Sequence, residues 1–374
     1  MNTKKLLVDA HTFDENHQGI RTFMKGIYSA IEIQPEQLEV ILVANNIENL
    51  KQEFKNQKHF KFVKLNHTNK YVRLAYEIPK VIKNLDVDFA HFNYFLPLFL
   101  SKKCKYIVTI HDVLFIDYPN FFPLKYQLVN SFLYKRSARK ADILTTVSEY
   151  SKETIRKNFQ ISDNKPIIIL PNAASDLYWQ SYDKELDKQY IKKHYNINKF
   201  IVFVSRIEPR KNHLILVQAY QELELWKQDF HLVFIGKETF KNEELDRKIK
   251  ETNVMSNGMV INLEDVDNDS LIRFYNAADL SVFPSLCEGF GIPPIESAIL
   301  KTPTLCSDAT AMSDFDFFKN YLFDPSSLEV LKSKIQMVLK SDNKENLESI
   351  SETIKTRYNW KNSANNLKKL ILKK

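Results

Sequence analysis

Two of the chain's six glycines fall within Phe283-Pro284-Ser285-Leu286-Cys287-Glu288-Gly289-Phe290-Gly291-Ile292-Pro293-Pro294-Ile295-Glu296. An apolar run ends there, a glycine-bearing turn follows, and a double proline, suited to a first helical turn, opens the next element. Such a passage turns the N–H groups of Gly289, Phe290, Gly291 and Ile292 outward at a helix N-terminus, where anions and hydroxyl-rich ligands bind. Glu288 precedes the turn and Glu296 lies one turn into the helix, so the two carboxylates are expected to border one pocket. Carboxylates accept paired hydrogen bonds from vicinal hydroxyls, the groups that a sugar or a ribose presents. A lone exposed glutamate is ordinarily only solvated; a pair flanking a glycine turn at a strand end reads as a ligand site.

A second strand end runs into a helix at Val204-Ser205-Arg206-Ile207-Glu208-Pro209-Arg210-Lys211-Asn212-His213 and gathers three cations, Arg206, Arg210 and Lys211. A surface charge cluster is the plain alternative. Ile107-Val108-Thr109-Ile110-His111-Asp112-Val113 closes another strand on a histidine; such a residue is otherwise a cap or a core-edge side chain. Common nucleotide signatures are excluded. A dinucleotide fingerprint fails at Pro294, which stands in the slot of the third glycine, and a Walker A loop fails at His231, five residues before Gly236-Lys237. Cys104, Cys287 and Cys306 form no C-x-x-C pair and the nine histidines show no metal-ligand spacing, which reads as a reducing cytoplasm without structural zinc.

These residues must be positioned by regular elements. A chain of 374 residues at ~150 residues per domain allows two or three domains. Hydrophobic residues at 44% and charged residues at 26% are ordinary for a globular protein and exclude wholesale disorder. Short apolar runs alternate with helical periodicity throughout: strands are expected near 6–10, 38–43, 87–91, 106–110, 143–147 and 166–170, then near 200–204, 231–235, 259–263, 280–283, 304–306 and 321–323. That alternation means an α/β fold of parallel sheets covered on both faces. Residues 175–198 are polar and carry no apolar strand, so they read as a linker between residues 1–174 and 199–357. Ligands of such sheets bind beyond the carboxyl ends of the strands, so two facing domains would make an interdomain cleft. The tail at 358–374 is helical and amphipathic; packing on a domain or lying on a membrane surface both fit it.

Charge is uneven. Residues 1–200 hold 30 Lys and Arg against 21 Asp and Glu, whereas 201–374 hold 23 against 25. The basic clusters Lys102-Lys103-Cys104-Lys105 and Lys135-Arg136-Ser137-Ala138-Arg139-Lys140 are solvated faces, or contacts to an anionic membrane or a phosphorylated acceptor. No nucleic-acid signature is present. The apolar start ends at Asp9, too short for a signal peptide, and the longest apolar stretch, Phe92 to Leu100, falls short of the ~20 residues that span a bilayer.

Glu288 and Glu296 with Gly-Phe-Gly between them resemble the E-x7-E signature of retaining GT-B glycosyltransferases of family 4. Arg206 and Lys211 are similar to the family's Arg-x4-Lys element, His111 to its T-x-H-D segment, Val147-Ser148-Glu149-Tyr150-Ser151 to its V-S-x-x-S element, and Pro171-Asn172 to its P-N-G turn, with Ala173 in place of glycine. The resemblance covers nearly the whole chain. It implies two Rossmann-like doubly wound domains, acceptor on the first and nucleotide sugar on the second, with the tail helix packed back. It also implies metal-independent transfer with retention. Arg206 and Lys211 would stabilise the leaving diphosphate, Glu296 would hold ribose hydroxyls, and Glu288 with the Gly289–Ile292 amides would orient the sugar. His111 would line its other face.

Mannosyltransferase-like members are resembled most, so GDP-mannose is the expected donor, with UDP-hexose next. A glycan or polyprenyl-linked acceptor, peripheral contact with an anionic membrane and a role in bacterial lipopolysaccharide or capsule assembly are implied by the resemblance alone. A sugar-nucleotide epimerase, a phosphorylase, or a non-catalytic binding subunit are the rival readings. The N-terminal loop departs from the family: Gln18-Gly19-Ile20-Arg21 keeps Gly19 for close backbone approach to the ligand and puts Arg21 where relatives carry a second glycine, so that approach is lost or replaced by a cation.

Overall fold

The structure, a computed structural model, describes residues 3–14, 18–340 and 344–373. Met1, Asn2 and Lys374, the outer ends of the expected first domain and tail helix, lie outside them. The chain divides into two compact units, Met1–Ala173 with Asn359–Lys374, and Ala174–Tyr358.

The first unit is built on a seven-stranded parallel sheet, ordered β3-β2-β1-β4-β5-β6-β7. Its strands are β1 (Lys4–Asp9), β2 (Leu38–Ala44), β3 (Lys61–Lys64), β4 (Phe89–Asn93), β5 (Lys105–Thr109), β6 (Ile143–Thr146) and β7 (Ile167–Ile169). The second unit carries a six-stranded parallel sheet, ordered β10-β9-β8-β11-β12-β13. Its strands are β8 (Lys199–Val204), β9 (Phe230–Ile235), β10 (Val260–Leu263), β11 (Leu280–Phe283), β12 (Thr304–Ser307) and β13 (Leu322–Phe323). Helices link most consecutive strands, whereas β4 passes to β5 through the irregular residues 94–104 and only 3-10 turns lie between β12 and β13. Central strands bury both faces: Leu6, Leu7 and Val8 are fully buried, as are Ile201 and Val202. The two doubly wound α/β sheets expected from the alternation are present.

Two differences have physical causes. The strand Lys61–Lys64 escapes the sequence pattern because it is an edge strand with lysines at both ends and only Phe62 and Val63 between them. The expected linker is not one. Within 175–198, Lys184–Tyr195 is a helix capped by the Asp183 carboxylate, which accepts from the Glu185 and Leu186 N–H groups. Its buried face rests on Ile191 and on Asp187, which accepts from Arg273 Nη1 at 2.5 Å and Asn276 Nδ2 at 2.9 Å. A helix docked through a buried aspartate reads as polar in sequence, yet it belongs to the second unit.

The tail helix Trp360–Leu372 buries Trp360, Ala364, Leu367 and Ile371 against the first unit, so it is no membrane-surface helix. Its indole lies on helix Gln18–Ala30, where a Cβ at Gly26 would stand 2.2 Å from the Trp360 ring. Lys4 Nζ donates to Ile371 O at 2.8 Å, and Ser363 Oγ donates to Pro171 O at 2.8 Å.

Candidate active site

In the second unit, β8 and β11 end side by side and their loops are knitted together. On the other side of β8, at the end of β9, Ser205 N–H donates to Ile235 O at 3.0 Å, and Gly236 lets those two backbones meet: a Cβ there would sit 2.0 Å from Ser205 O. The 3-10 turn Pro209–Lys211 then presents Arg210, whose carbonyl accepts from Leu286 N–H at 2.8 Å. Arg210 Nη1 donates to Glu288 Oε2 and to Cys287 O, both at 3.0 Å, and Arg210 Nη2 pairs with Glu208 Oε1 at 2.6 Å. Lys211 Nζ pairs directly with Glu288 Oε1, which also accepts from Ser285 Oγ at 3.0 Å.

Glu288 is clamped through its backbone too. Its N–H donates to Thr310 Oγ1 at 2.8 Å and its carbonyl accepts from Ala311 N–H at 3.3 Å. Thr310 adopts φ +52°, a left-handed conformation that a β-branched residue rarely takes. Burial opposes ionisation of Glu288, but the Lys211 and Arg210 charges overcome it and hold the carboxyl at about 2. A small depression beside this pair is lined by Ser205, Lys211, Ser285, Glu288, Pro293 and Met312.

The following turn enters helix Ile292–Ile299 through Gly291, at φ +105°. A Cβ on Gly291 would stand 2.9 Å from Met312 Cγ, so position 291 needs glycine on both counts. Of the four expected donors, Phe290, Gly291 and Ile292 N–H have no acceptor among the described residues, whereas Gly289 interacts within the chain.

Arg206 is exposed and makes no ion pair among the described residues; the arginine that joins Lys211 and Glu288 is its neighbour Arg210, because the 3-10 turn folds that side chain back onto the Cys287 carbonyl. One expectation, that the two carboxylates border one pocket, changes here. Glu296 does not share the depression of Glu288. It faces Tyr275 Oη at 3.5 Å, close to Tyr178, and burial pushes its carboxyl up to about 7. Glu288 thus faces the cations and Glu296 faces Tyr275.

In the first unit, His111 is buried just past the end of β5. Its Nε2 donates to Asn93 Oδ1 at 3.0 Å, and the Phe23 and Tyr94 rings lie 4.8 and 5.3 Å from its own. Burial, then neighbouring His91, lowers it to about 3, so the imidazole is neutral. His91 bridges Tyr28 Oη at 2.6 Å and Thr109 Oγ1 at 2.8 Å. Gly19 lies in helix Gln18–Ala30 with nothing within 4 Å of where a Cβ would be. Arg21 is paired within the first unit: its Nη2 donates to Glu53 Oε1 at 2.6 Å and its guanidinium covers the Phe13 ring. Among the described residues no group of three His, Cys, Asp or Glu could hold a metal ion.

Residues 186–357, which carry Arg206, Lys211, Glu288 and Glu296, match the family described as Glycosyl transferases group 1, and residues 30–175 match Glycosyltransferase Family 4. The chain belongs to the group 1, family 4 glycosyltransferases. This glycosyltransferase is 25% identical over 252 residues to the O-antigen chain mannosyltransferase B of Escherichia coli, covering 67% of this chain and 64% of that protein. It is 26% identical over 202 residues to the serotype-specific mannosyltransferase WbdA of Escherichia coli, covering 54% of this chain but only 25% of WbdA. The chain thus spans less than two thirds of the length of either relative. Its fold is shared, at TM-score 0.71 and 16% identity over 99% of both chains, with Anabaena Alr3699/HepE, solved in complex with UDP and glucose. The glycosyltransferase therefore has the GT-B fold.

Proposed function

We propose that this glycosyltransferase moves a hexose, mannose by first choice, from a nucleoside-diphosphate sugar to a glycan or lipid-linked acceptor, with retention at the anomeric carbon and without a metal. The observation that carries the reading is the largely buried Lys211-Glu288-Arg210 cluster beside the amides of Phe290, Gly291 and Ile292, which have no acceptor among the described residues. A departing nucleoside diphosphate develops negative charge, and preorganised cations and amide dipoles stabilise it. Lys211 and the exposed Arg206 take that role. Glu296 receives the ribose hydroxyls, and Glu288 and the loop amides orient the sugar; in the first unit, neutral His111 and Gly19 are the residues proposed to act. Mannose is supported by the names of the bacterial relatives, which also suggest O-antigen or similar surface polysaccharide assembly. UDP-hexose is the second choice, supported by the UDP and glucose of the HepE complex.

No helix of the described residues is long and apolar enough to cross a membrane. A cytoplasmic protein working peripherally at the inner face of the cell membrane fits a lipid-linked acceptor. The test of the donor is thermal stabilisation by GDP, UDP and ADP. GDP is expected to raise the melting temperature most; stabilisation by UDP alone removes the mannose assignment, and none by any nucleotide removes the function. Product analysis by proton NMR then reads the anomeric outcome.

A further inference from the structure

The carboxyl edge of the first sheet holds a cation for which the proposed chemistry has no use. Arg73 begins the irregular helical turn Arg73–Glu77 and is 4% exposed. Among the described residues its Nε has no hydrogen-bond partner and its acidic contact is Asp9 Oδ1 at 4.0 Å, an oxygen that already takes His11 Nδ1 at 3.0 Å. A guanidinium carries five N–H donors in a rigid fork, and burying it without acceptors is costly. Folding alone would favour an apolar side chain in its place.

Two further buried polar atoms without partners stand at the ends of adjacent strands: Thr12 Oγ1 just beyond β1, and Asn93 Nδ2 at the end of β4. The strands are neighbours, with Val8 opposite His91. Since Asn93 Oδ1 accepts from His111, its two N–H donors remain. Lys70, one turn before Arg73, lies 3.5 Å from the Phe95 ring centroid, and its ammonium is pushed down by burial and by the Arg73 charge. Two cations and an amide thus stand at the strand ends where parallel sheets bind ligands.

We infer that Arg73, with Lys70 and the Asn93 amide, forms a diphosphate-binding site in the first unit that receives the diphosphate of a lipid-linked acceptor. The inference rests on the acceptor reading above and adds its chemistry: a neutral glycan needs no paired cations, whereas a diphosphate matches an arginine fork and a second positive charge.

The test uses the full-length protein saturated with whichever of GDP or UDP stabilises it, so that the nucleotide site is filled, and titrates inorganic pyrophosphate by calorimetry. The wild type is expected to bind one pyrophosphate with nucleotide present. Arg73→Met is expected to weaken that binding by at least about tenfold, and Lys70→Ala by about threefold, as lost charged hydrogen bonds do. With a polyprenyl-diphosphate-linked acceptor, Arg73→Met raises the acceptor KM and leaves the donor KM unchanged, a split that a purely structural arginine would not produce. Should Arg73→Met fail to fold, the half-exposed Lys70→Ala decides. The inference is overturned if the nucleotide-loaded wild type binds no pyrophosphate, or if the folded variants bind it as the wild type does. Failure of any nucleotide to bind would instead remove the function itself.

Discussion

Lys211 and Glu288 are both withdrawn from water, and Glu288 stays ionised because Lys211 and Arg210 face it. Lys211→Ala and Glu288→Ala are each expected to lower kcat by ~10² to 10³, the usual loss of one preorganised charge-stabilising group. Glu288→Ala also strands the Lys211 ammonium, a loss of about 3–5 kcal/mol in stability, whereas Lys211→Ala leaves Glu288 paired with Arg210, so melting temperatures must be read beside rates. Arg206→Ala separates the two effects: the residue is exposed, so turnover should fall with the melting temperature unchanged. Near wild-type turnover in Lys211→Ala would sink the assignment. Glu296 makes a pH prediction. With its carboxyl at about 7, it is mostly protonated at pH 6. Ribose hydroxyls donate to the carboxylate, so nucleotide binding must first release that proton. Affinity should be about tenfold weaker at pH 6 than at pH 8, and Glu296→Gln should flatten the profile. A flat profile in the wild type rejects the ribose role. At this scale, Glu288, Glu296 and Lys211 are legible because their spacing is local. The contacts of Thr310 and Arg210 are not: the first meets the Glu288 N–H across 22 residues and the second meets the Glu288 carboxylate across 78.

Elements are legible where both faces of a strand are buried, since a continuous apolar run then has one reading. They fail where burial is partial, at Lys61–Lys64, or where a charge makes the contact, as Asp187 does. Packing between helices is also hidden. Gly26 has no explanation in sequence, yet the Trp360 indole lies against it. Gly26→Ala would improve helix propensity in an isolated helix; here it drives a methyl into the ring and should cost about 1–3 kcal/mol. Each kcal/mol lowers Tm by about 2–4 °C in a unit of this size, so calorimetry resolves it. The double variant Gly26→Ala with Trp360→Leu should recover part of the loss. A stabilised Gly26→Ala single variant would show that the tail helix does not dock there in solution.

Across the whole molecule, the basic excess of residues 1–200 acquires a direction. Helix Leu124–Lys140 leaves Leu124, Leu128 and Phe132, one face at four-residue spacing, 68%, 66% and 71% exposed. Arg136 Nη2 ties this helix to the Pro97 and Leu98 carbonyls at 3.0 and 2.7 Å, beside exposed Leu98 and Phe99. Apolar side chains flanked by Lys135, Arg139 and Lys140 suit an anionic bilayer surface. The protein is expected to sediment with phosphatidylglycerol-containing vesicles at low salt, less so at high salt, and Leu128→Glu with Phe132→Glu should release it. A wild type that stays in the supernatant at low salt rejects the membrane contact.

Strand-helix alternation, the Glu288-to-Glu296 spacing and the basic bias are properties of neighbours along the chain, and for that reason the α/β class and the principal site segments follow from the sequence by itself. Which arginine meets Lys211, where each carboxylate points, how Thr310 holds Glu288, and why Gly26 is a glycine are contacts between distant residues. Only the tertiary structure decides them, because they depend on which side chains share a buried space, where a hydrogen bond or a methyl group counts for far more than it does in water.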